Sequence, residues 1–178
     1  VVPCSKCFLQ DRRTDELADF IIDWININKI PVYNEESGKG LVRRICVRMG
    51  KNEAVAVIVT AGRIPGIEKL GKLLTEKYPY VKGLAENYNA KRTNTVFGEH
   101  DRVVCGTPYI VDSIGNISYE IHYKSFYQVN PYTTKLLYDK VRSLCKEAND
   151  KTAFDLYCGS GTISLYVADC VKNVIGIE

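Results

Sequence analysis

Apolar side chains first recur at helical spacing: Leu17, Phe20, Ile21 and Trp24 share one stripe, with Thr14 as a candidate cap and Asp15 and Glu16 in the first turn. Residues 26–40 are a polar connection broken by Pro31 and Gly38. Alternation then takes over in 41–49, with Ile45, Val47 and Met49 on one face and Arg44 and Arg48 on the other. Gly50-Lys51-Asn52 marks a turn into the near-continuous β-branched run 54–60. The spacing predicts a second amphipathic helix over 67–78, with Ile67, Leu70, Leu73 and Leu74 inward, and a strand over 81–87. A β-rich stretch covers 94–122, with Ser113-Ile114-Gly115-Asn116-Ile117 as a hairpin turn between 109–111 and 117–121. Residues 1–122 thus read as an α/β unit with a largely antiparallel sheet.

From Asn130 the pattern changes. Asn130 followed by Pro131 is a favoured helix start. The helix runs through Leu136, Leu137, Val141 and Leu144 to about Ala148. A buried-strand pattern at 152–157, a glycine turn, a short helix at 163–171 and a last strand at 173–178 make one βαβ unit. A parallel sheet needs more strands and both faces covered, so 123–178 reads as the start of a second, truncated domain.

Composition narrows the class. The 178 residues are 46% hydrophobic and 25% charged, as in globular proteins, and suit one domain or a small domain plus part of another. No apolar run approaches the roughly 18 residues of a membrane helix, and no signal peptide opens the chain. The start at Val1-Val2-Pro3, without Met, suggests an excised piece. The net charge of +3 is mild. Arg12-Arg13, Lys39, Arg43, Arg44 and Arg48 cluster locally, as phosphate-neutralising residues do, though a solvated basic face would look the same. Cysteines at 4, 7, 46, 105, 145, 158 and 170 are odd in number, and most fall in apolar periodic segments. They suit the small buried thiols of a cytoplasmic protein, with room for one metal or cluster ligand, better than a disulfide framework.

The strongest chemical signal is Asp155-Leu156-Tyr157-Cys158-Gly159-Ser160-Gly161-Thr162. Gly159 and Gly161 allow a tight turn and close approach of a ligand, and free N–H groups follow at the next helix start. Glu178 ends the next strand, where a doubly wound sheet places a carboxylate for the two hydroxyls of an adenosine ribose. Ser164 stands where a dinucleotide fingerprint needs its third glycine, and Asp155 would repel phosphates. S-adenosylmethionine (SAM) suits this turn better than a dinucleotide. A βα turn whose glycines only relieve strain is the plainer alternative, weakened by Asp155 and Glu178.

Ser125-Phe126-Tyr127-Gln128-Val129-Asn130-Pro131, followed by a helix and by the Asp155–Thr162 turn, resembles the RNA uracil-C5-methyltransferase family, as does Gly40-Leu41-Val42-Arg43-Arg44-Ile45. The likeness runs along nearly the whole chain. It implies a central RNA-docking α/β domain (1–122) and the beginning of a Rossmann-like SAM-dependent methyltransferase domain (123–178). By the same resemblance Gln128 and Tyr157 contact SAM, Thr162 faces it, Glu178 binds its ribose, and Arg43, Arg44 and Arg48 grip the backbone of RNA rather than DNA. Family chemistry adds a cysteine thiolate to uracil C6, moves the SAM methyl group to C5, and removes the C5 proton with a base. That cysteine and base belong to motifs beyond Glu178. Cys158 is therefore not the nucleophile, the chain contains no catalytic residue, and it is expected to be inactive alone. Cys7 is similar to the fourth ligand of a [4Fe–4S] cluster, although Cys4-x-x-Cys7 also mimics an upstream ligand segment. Too few thiolates remain here for a cluster. A cluster-type cysteine favours 23S rRNA over tRNA as the substrate. The alternatives are a tRNA uracil-5-methyltransferase, another Rossmann-like methyltransferase or dinucleotide enzyme, and a non-catalytic RNA-binding module.

Overall fold

The computed structural model describes residues 7–178. The chain falls into two compact units, the first ending at Ile110 and the second beginning at Val111.

The first unit contains helix α1 (Arg12–Ile27), strands β1 (Val42–Met49) and β2 (Ala54–Thr60), helix α2 (Ile67–Lys77), and strands β3 (Val81–Tyr88) and β4 (His100–Gly106). The sheet order is β1-β2-β3-β4. β1 and β2 form an antiparallel hairpin, α2 carries the chain across to a parallel β3, and β4 returns antiparallel. The largely antiparallel α/β reading holds. β2, Ala-Val-Ala-Val-Ile-Val-Thr, is buried along its whole length, which explains why it reads as a continuous apolar run rather than an alternation. Leu17, Ile21 and Trp24 of α1 and Ile67, Leu70 and Leu74 of α2 pack with Ala54, Ala56 and Ile58 in one core, against which Ile45, Val47 and Met49 also lie.

Some local expectations change. α1 is capped by Asp11, not Thr14: the Asp11 side chain accepts from the Arg13 N–H, and the Thr14 N–H donates to the Asp11 carbonyl. Two cap-type residues stand three apart, and the earlier one gains the Arg13 guanidinium as a further partner. Leu73 is exposed; the buried stripe of α2 runs through Gly71, where a side chain would meet Cys105 Sγ of β4 at 2.8 Å. Residues 94–99 form no strand, because buried asparagine side chains of β3 and the loop after it take their backbone groups.

Strand β5 (Tyr109–Ile114) begins two residues before the boundary at Val111 and forms a hairpin with β6 (Ile117–His122); the second unit continues with helix α3 (Pro131–Lys146), strand β7 (Thr152–Leu156), helix α4 (Thr162–Val167) and strand β8 (Asn173–Ile177). The hairpin turn is tighter than expected, Gly115-Asn116 with Gly115 at φ +61°. Asn130 caps α3, accepting from the Tyr132 and Thr133 N–H groups, with Pro131 in the first turn as the sequence predicts. β7 and β8 pair in parallel, from Thr152 opposite Asn173 to Leu156 opposite Ile177, with α4 as the crossover. This is the expected βαβ unit, except that β7 is not the buried strand its apolar run predicts: Phe154 and Leu156 are exposed. The residues α3 buries are Thr134 and Tyr138, whereas Leu136, Leu137 and Leu144 are exposed.

Candidate cofactor site at the glycine turn

β7 ends at Leu156, and the chain reverses through Tyr157-Cys158-Gly159-Ser160-Gly161 into α4. Gly159 and Gly161 have φ +55° and +70°, and nothing lies within 4 Å of where a side chain on either would start. The turn therefore uses glycine for its backbone conformation and leaves open space above it. Tyr157 also has positive φ, +61°, and the residue is 92% exposed. A tyrosine held in this conformation costs about 1–3 kcal/mol, a strain that clusters at ligand sites.

Carboxylates fix both ends of the turn. Asp155 Oδ2 accepts from the Ser164 N–H (3.1 Å) and the Ser164 hydroxyl (2.6 Å), tying β7 to α4. Glu178 Oε2 accepts from the Gly159 N–H at 2.7 Å, so the acid after β8 and the first turn glycine meet across the open side. Cys158 faces the other way, its Sγ 2.9 Å from where a side chain on Gly176 would start. Packed against β8, it is not displayed as a nucleophile.

Thr162 is engaged from behind. Its hydroxyl pairs with the Tyr138 hydroxyl at 2.7 Å, and its carbonyl accepts from the Tyr119 hydroxyl at 3.1 Å. Tyr138 meets Tyr166 edge-on, and the Tyr166 hydroxyl donates to Asp139. Sequence reasoning missed this tyrosine network because it followed the leucines of α3; the signal was the i, i+4 pair Thr134 and Tyr138. Gln128 sits half-buried two positions before the cap of α3. The turn thus brings together Tyr157, Gly159, Gly161, Thr162 and Glu178, and leaves Gln128 on a separate segment.

Burial and the neighbouring tyrosines Tyr138 and Tyr166 push the Tyr119 hydroxyl up to about 12. Burial and Asp112 push Tyr127 higher still. An unfolded chain releases these protons near 10, where the folded protein keeps them. The folded state then binds more protons, so stability must fall as pH rises above about 10. Urea titrations from pH 9 to 11 should show this decline, and Tyr119→Phe should make it shallower. An equal slope in the variant would remove Tyr119 as a source.

The basic residues do not behave alike. The Arg43 side chain is only 3% exposed. It forks onto Glu35, donates to the Asn89 and Lys91 carbonyls at 2.7 and 2.9 Å, and stacks on Tyr33. It is an internal clamp, which corrects its expected place on an RNA-facing surface. Arg48 is half-buried, and desolvation lowers its pKa. Arg44 is exposed.

Cys7 is half-buried, and Cys4 lies outside the described residues. Among the described residues no group of three or more His, Cys, Asp or Glu could hold a metal, so they do not fit a [4Fe–4S] cluster. No described helix is long and apolar enough to cross a membrane.

No family model matches the chain. It is 39% identical over 177 residues to a protein of Oceanobacillus iheyensis named an RNA methyltransferase, covering 98% of this chain and 39% of that one. It is 36% identical over 181 residues to a protein of the same name from Halalkalibacterium halodurans, covering 100% of this chain and 40% of that one. The chain thus spans about two fifths of the length of these relatives. Among solved structures it is similar to the Pyrococcus abyssi tRNA (uracil-54, C5)-methyltransferase in complex with S-adenosyl-L-homocysteine (SAH), with a TM-score of 0.80 and 25% identity over 99% of this chain and 43% of that one. These findings agree with the likeness to RNA uracil-C5-methyltransferases read from the sequence.

Proposed function

We infer that this chain is a segment of a SAM-dependent RNA methyltransferase that methylates C5 of uridine, containing an RNA-docking unit and the first half of the SAM pocket. The observation that carries the reading is the open glycine turn with the Glu178 carboxylate at the Gly159 N–H. It is supported by similarity along almost the whole chain to a structure holding SAH. When bound, SAM supplies an activated methyl group. The residues here bind and orient it. Gly159 and Gly161 let the backbone approach, Glu178 accepts from the ribose hydroxyls, and Tyr157 and Gln128 offer an exposed ring and an amide. Thr162 sets the turn through Tyr138 and Tyr119. Asp155 keeps the start of α4 on β7 and makes the turn unsuitable for a pyrophosphate.

The preference for ribosomal RNA rests on Cys7 as a cluster ligand, a role the described residues do not complete. Uridine in RNA is the substrate we propose, and methylation assays with the full-length enzyme on 23S rRNA and on tRNA separate the two cases. Calorimetric titration of SAH into this chain tests the pocket. Binding is expected, weakened about tenfold in Gln128→Ala, the loss of one good hydrogen bond. A flat titration of the wild-type chain would reject these residues as a pocket that works by itself, and an unchanged Gln128→Ala would reject that residue's role.

A further inference from the structure

The loop between β3 and β4 is built more elaborately than a connection requires. Asn87 and Asn89 are both buried, and both spend their side chains on this loop. The Asn89 amide donates to the Thr95 and Val96 carbonyls at 2.8 and 3.2 Å, and its oxygen accepts from the Lys91 N–H. Asn87 grips the base of the loop, exchanging hydrogen bonds with the Gly98 N–H and carbonyl at 2.7 and 3.1 Å. From β1, Arg43 holds the Asn89 and Lys91 carbonyls, and the Arg92 guanidinium reaches the Glu36 carbonyl at 3.2 Å. Burying amides and a guanidinium is tolerable only when they are hydrogen-bonded, and here those bonds fix the shape of an exposed tip. Residues 90–95 are all exposed. Their side chains, apart from Ala90, are Lys91, Arg92, Thr93, Asn94 and Thr95, every one able to donate a hydrogen bond. A rigid scaffold that displays a loop of donors is the usual way a fold makes a binding surface.

We propose that residues 90–95 form a contact for the phosphate backbone of RNA, with Lys91 and Arg92 as its charges, and that Arg43 serves by holding the loop rather than by touching RNA. The proposal rests on the RNA-methyltransferase reading for the choice of RNA as the polyanion. The carboxylates nearby do not block it. Glu35 is matched by the Arg43 fork, and the Lys91–Glu99 pair is largely exposed on both sides, where such pairs are weak and readily exchanged for a phosphate.

Binding of a fluorescein-labelled, uridine-containing RNA stem–loop to this chain, measured by anisotropy from 50 to 200 mM salt, tests it. Lys91→Ala/Arg92→Ala is expected to weaken binding about tenfold or more. It should also flatten the plot of log K against log salt by about 1.5, since each lost phosphate contact removes about 0.7–0.9 from the slope. Lys69→Ala/Lys72→Ala takes the same two charges from α2 and is expected to change both quantities much less. Arg43→Lys keeps a charge but loses the fork, and is expected to weaken binding with little change in slope. Equal losses in the two alanine double variants would mean diffuse attraction to net charge and would overturn the proposal, as would a wild-type chain that binds no RNA. SAH titration of the same preparations reports separately on the methyltransferase reading, so a chain that binds SAH while the loop variants bind RNA normally rejects the loop alone.

Discussion

Gly106→Ala is expected to lower the melting temperature of the first unit by more than about 10 °C, and Gly66→Ala by only about 5 °C. The two glycines share a left-handed backbone, φ +65° at Gly106 and φ +70° at Gly66. An L-residue there costs about 1–2 kcal/mol at either position. What separates them is space. A side chain on Gly66 would meet nothing within 4 Å, whereas one on Gly106 would start 1.8 Å from the Lys82 carbonyl oxygen and 2.8 Å from its carbon. Both are backbone atoms, so no rotamer change relieves the overlap. Gly106 pairs with Gly83 across the β3–β4 ladder, and the Thr107 N–H donates to that same Lys82 carbonyl at 3.0 Å. Relief must open the end of the ladder, which brings the total above about 3 kcal/mol, in the range of large single-site losses. At about 4–8 °C per kcal/mol for a domain of this size, the two shifts are easily told apart by circular dichroism. Equal shifts would show that the ladder end relaxes around the new methyl group and is not closely packed.

The contrast between these glycines marks what the sequence makes legible. Turns, caps and periodicity are local, so the β1–β2 hairpin, the Asn130-Pro131 helix start and the β7–α4–β8 unit can all be read from residue order. Close approach is not local. Nothing in the neighbours of Gly71 or Gly106 says that Cys105 or Lys82 lies against it. The same holds for arginine. Alternation puts Arg43 on the face of Ile45, Val47 and Met49 and Arg44 on the other, but it does not say that carbonyls from far along the chain clamp the first while the second stays exposed. A buried guanidinium needs several acceptors arranged in a plane, and only the fold supplies them. The glycine turn was legible because its backbone shape depends on adjacent residues, and the acid that meets it follows the next strand directly. The tyrosines that brace it from β6 and α3 were not, because their partner Thr162 lies far from them in sequence.

Glu178→Ala is expected to weaken SAH binding by about 10- to 100-fold while leaving the melting temperature of the chain nearly unchanged. In the proposed pocket this carboxylate accepts from the two ribose hydroxyls. Hydrogen bonds to a charged group contribute about 1.5–3 kcal/mol each, part of which water replaces in the free protein, leaving a loss of about 1.4–2.8 kcal/mol. Stability should hardly move, because the partner Glu178 now has, the Gly159 N–H, lies on an exposed turn where water can take its place. Asp155 offers the internal comparison. Its carboxylate takes both the N–H and the hydroxyl of Ser164 between β7 and α4, so Asp155→Ala should lower stability by about 1–2 kcal/mol along with affinity. Glu178→Gln, which keeps the shape and loses the charge, should fall between wild type and Glu178→Ala. If calorimetry instead gave the same SAH affinity for Glu178→Ala and the wild type, the acid after β8 would be a brace for Gly159 only, and ribose recognition would have to come from elsewhere on the open face of the turn.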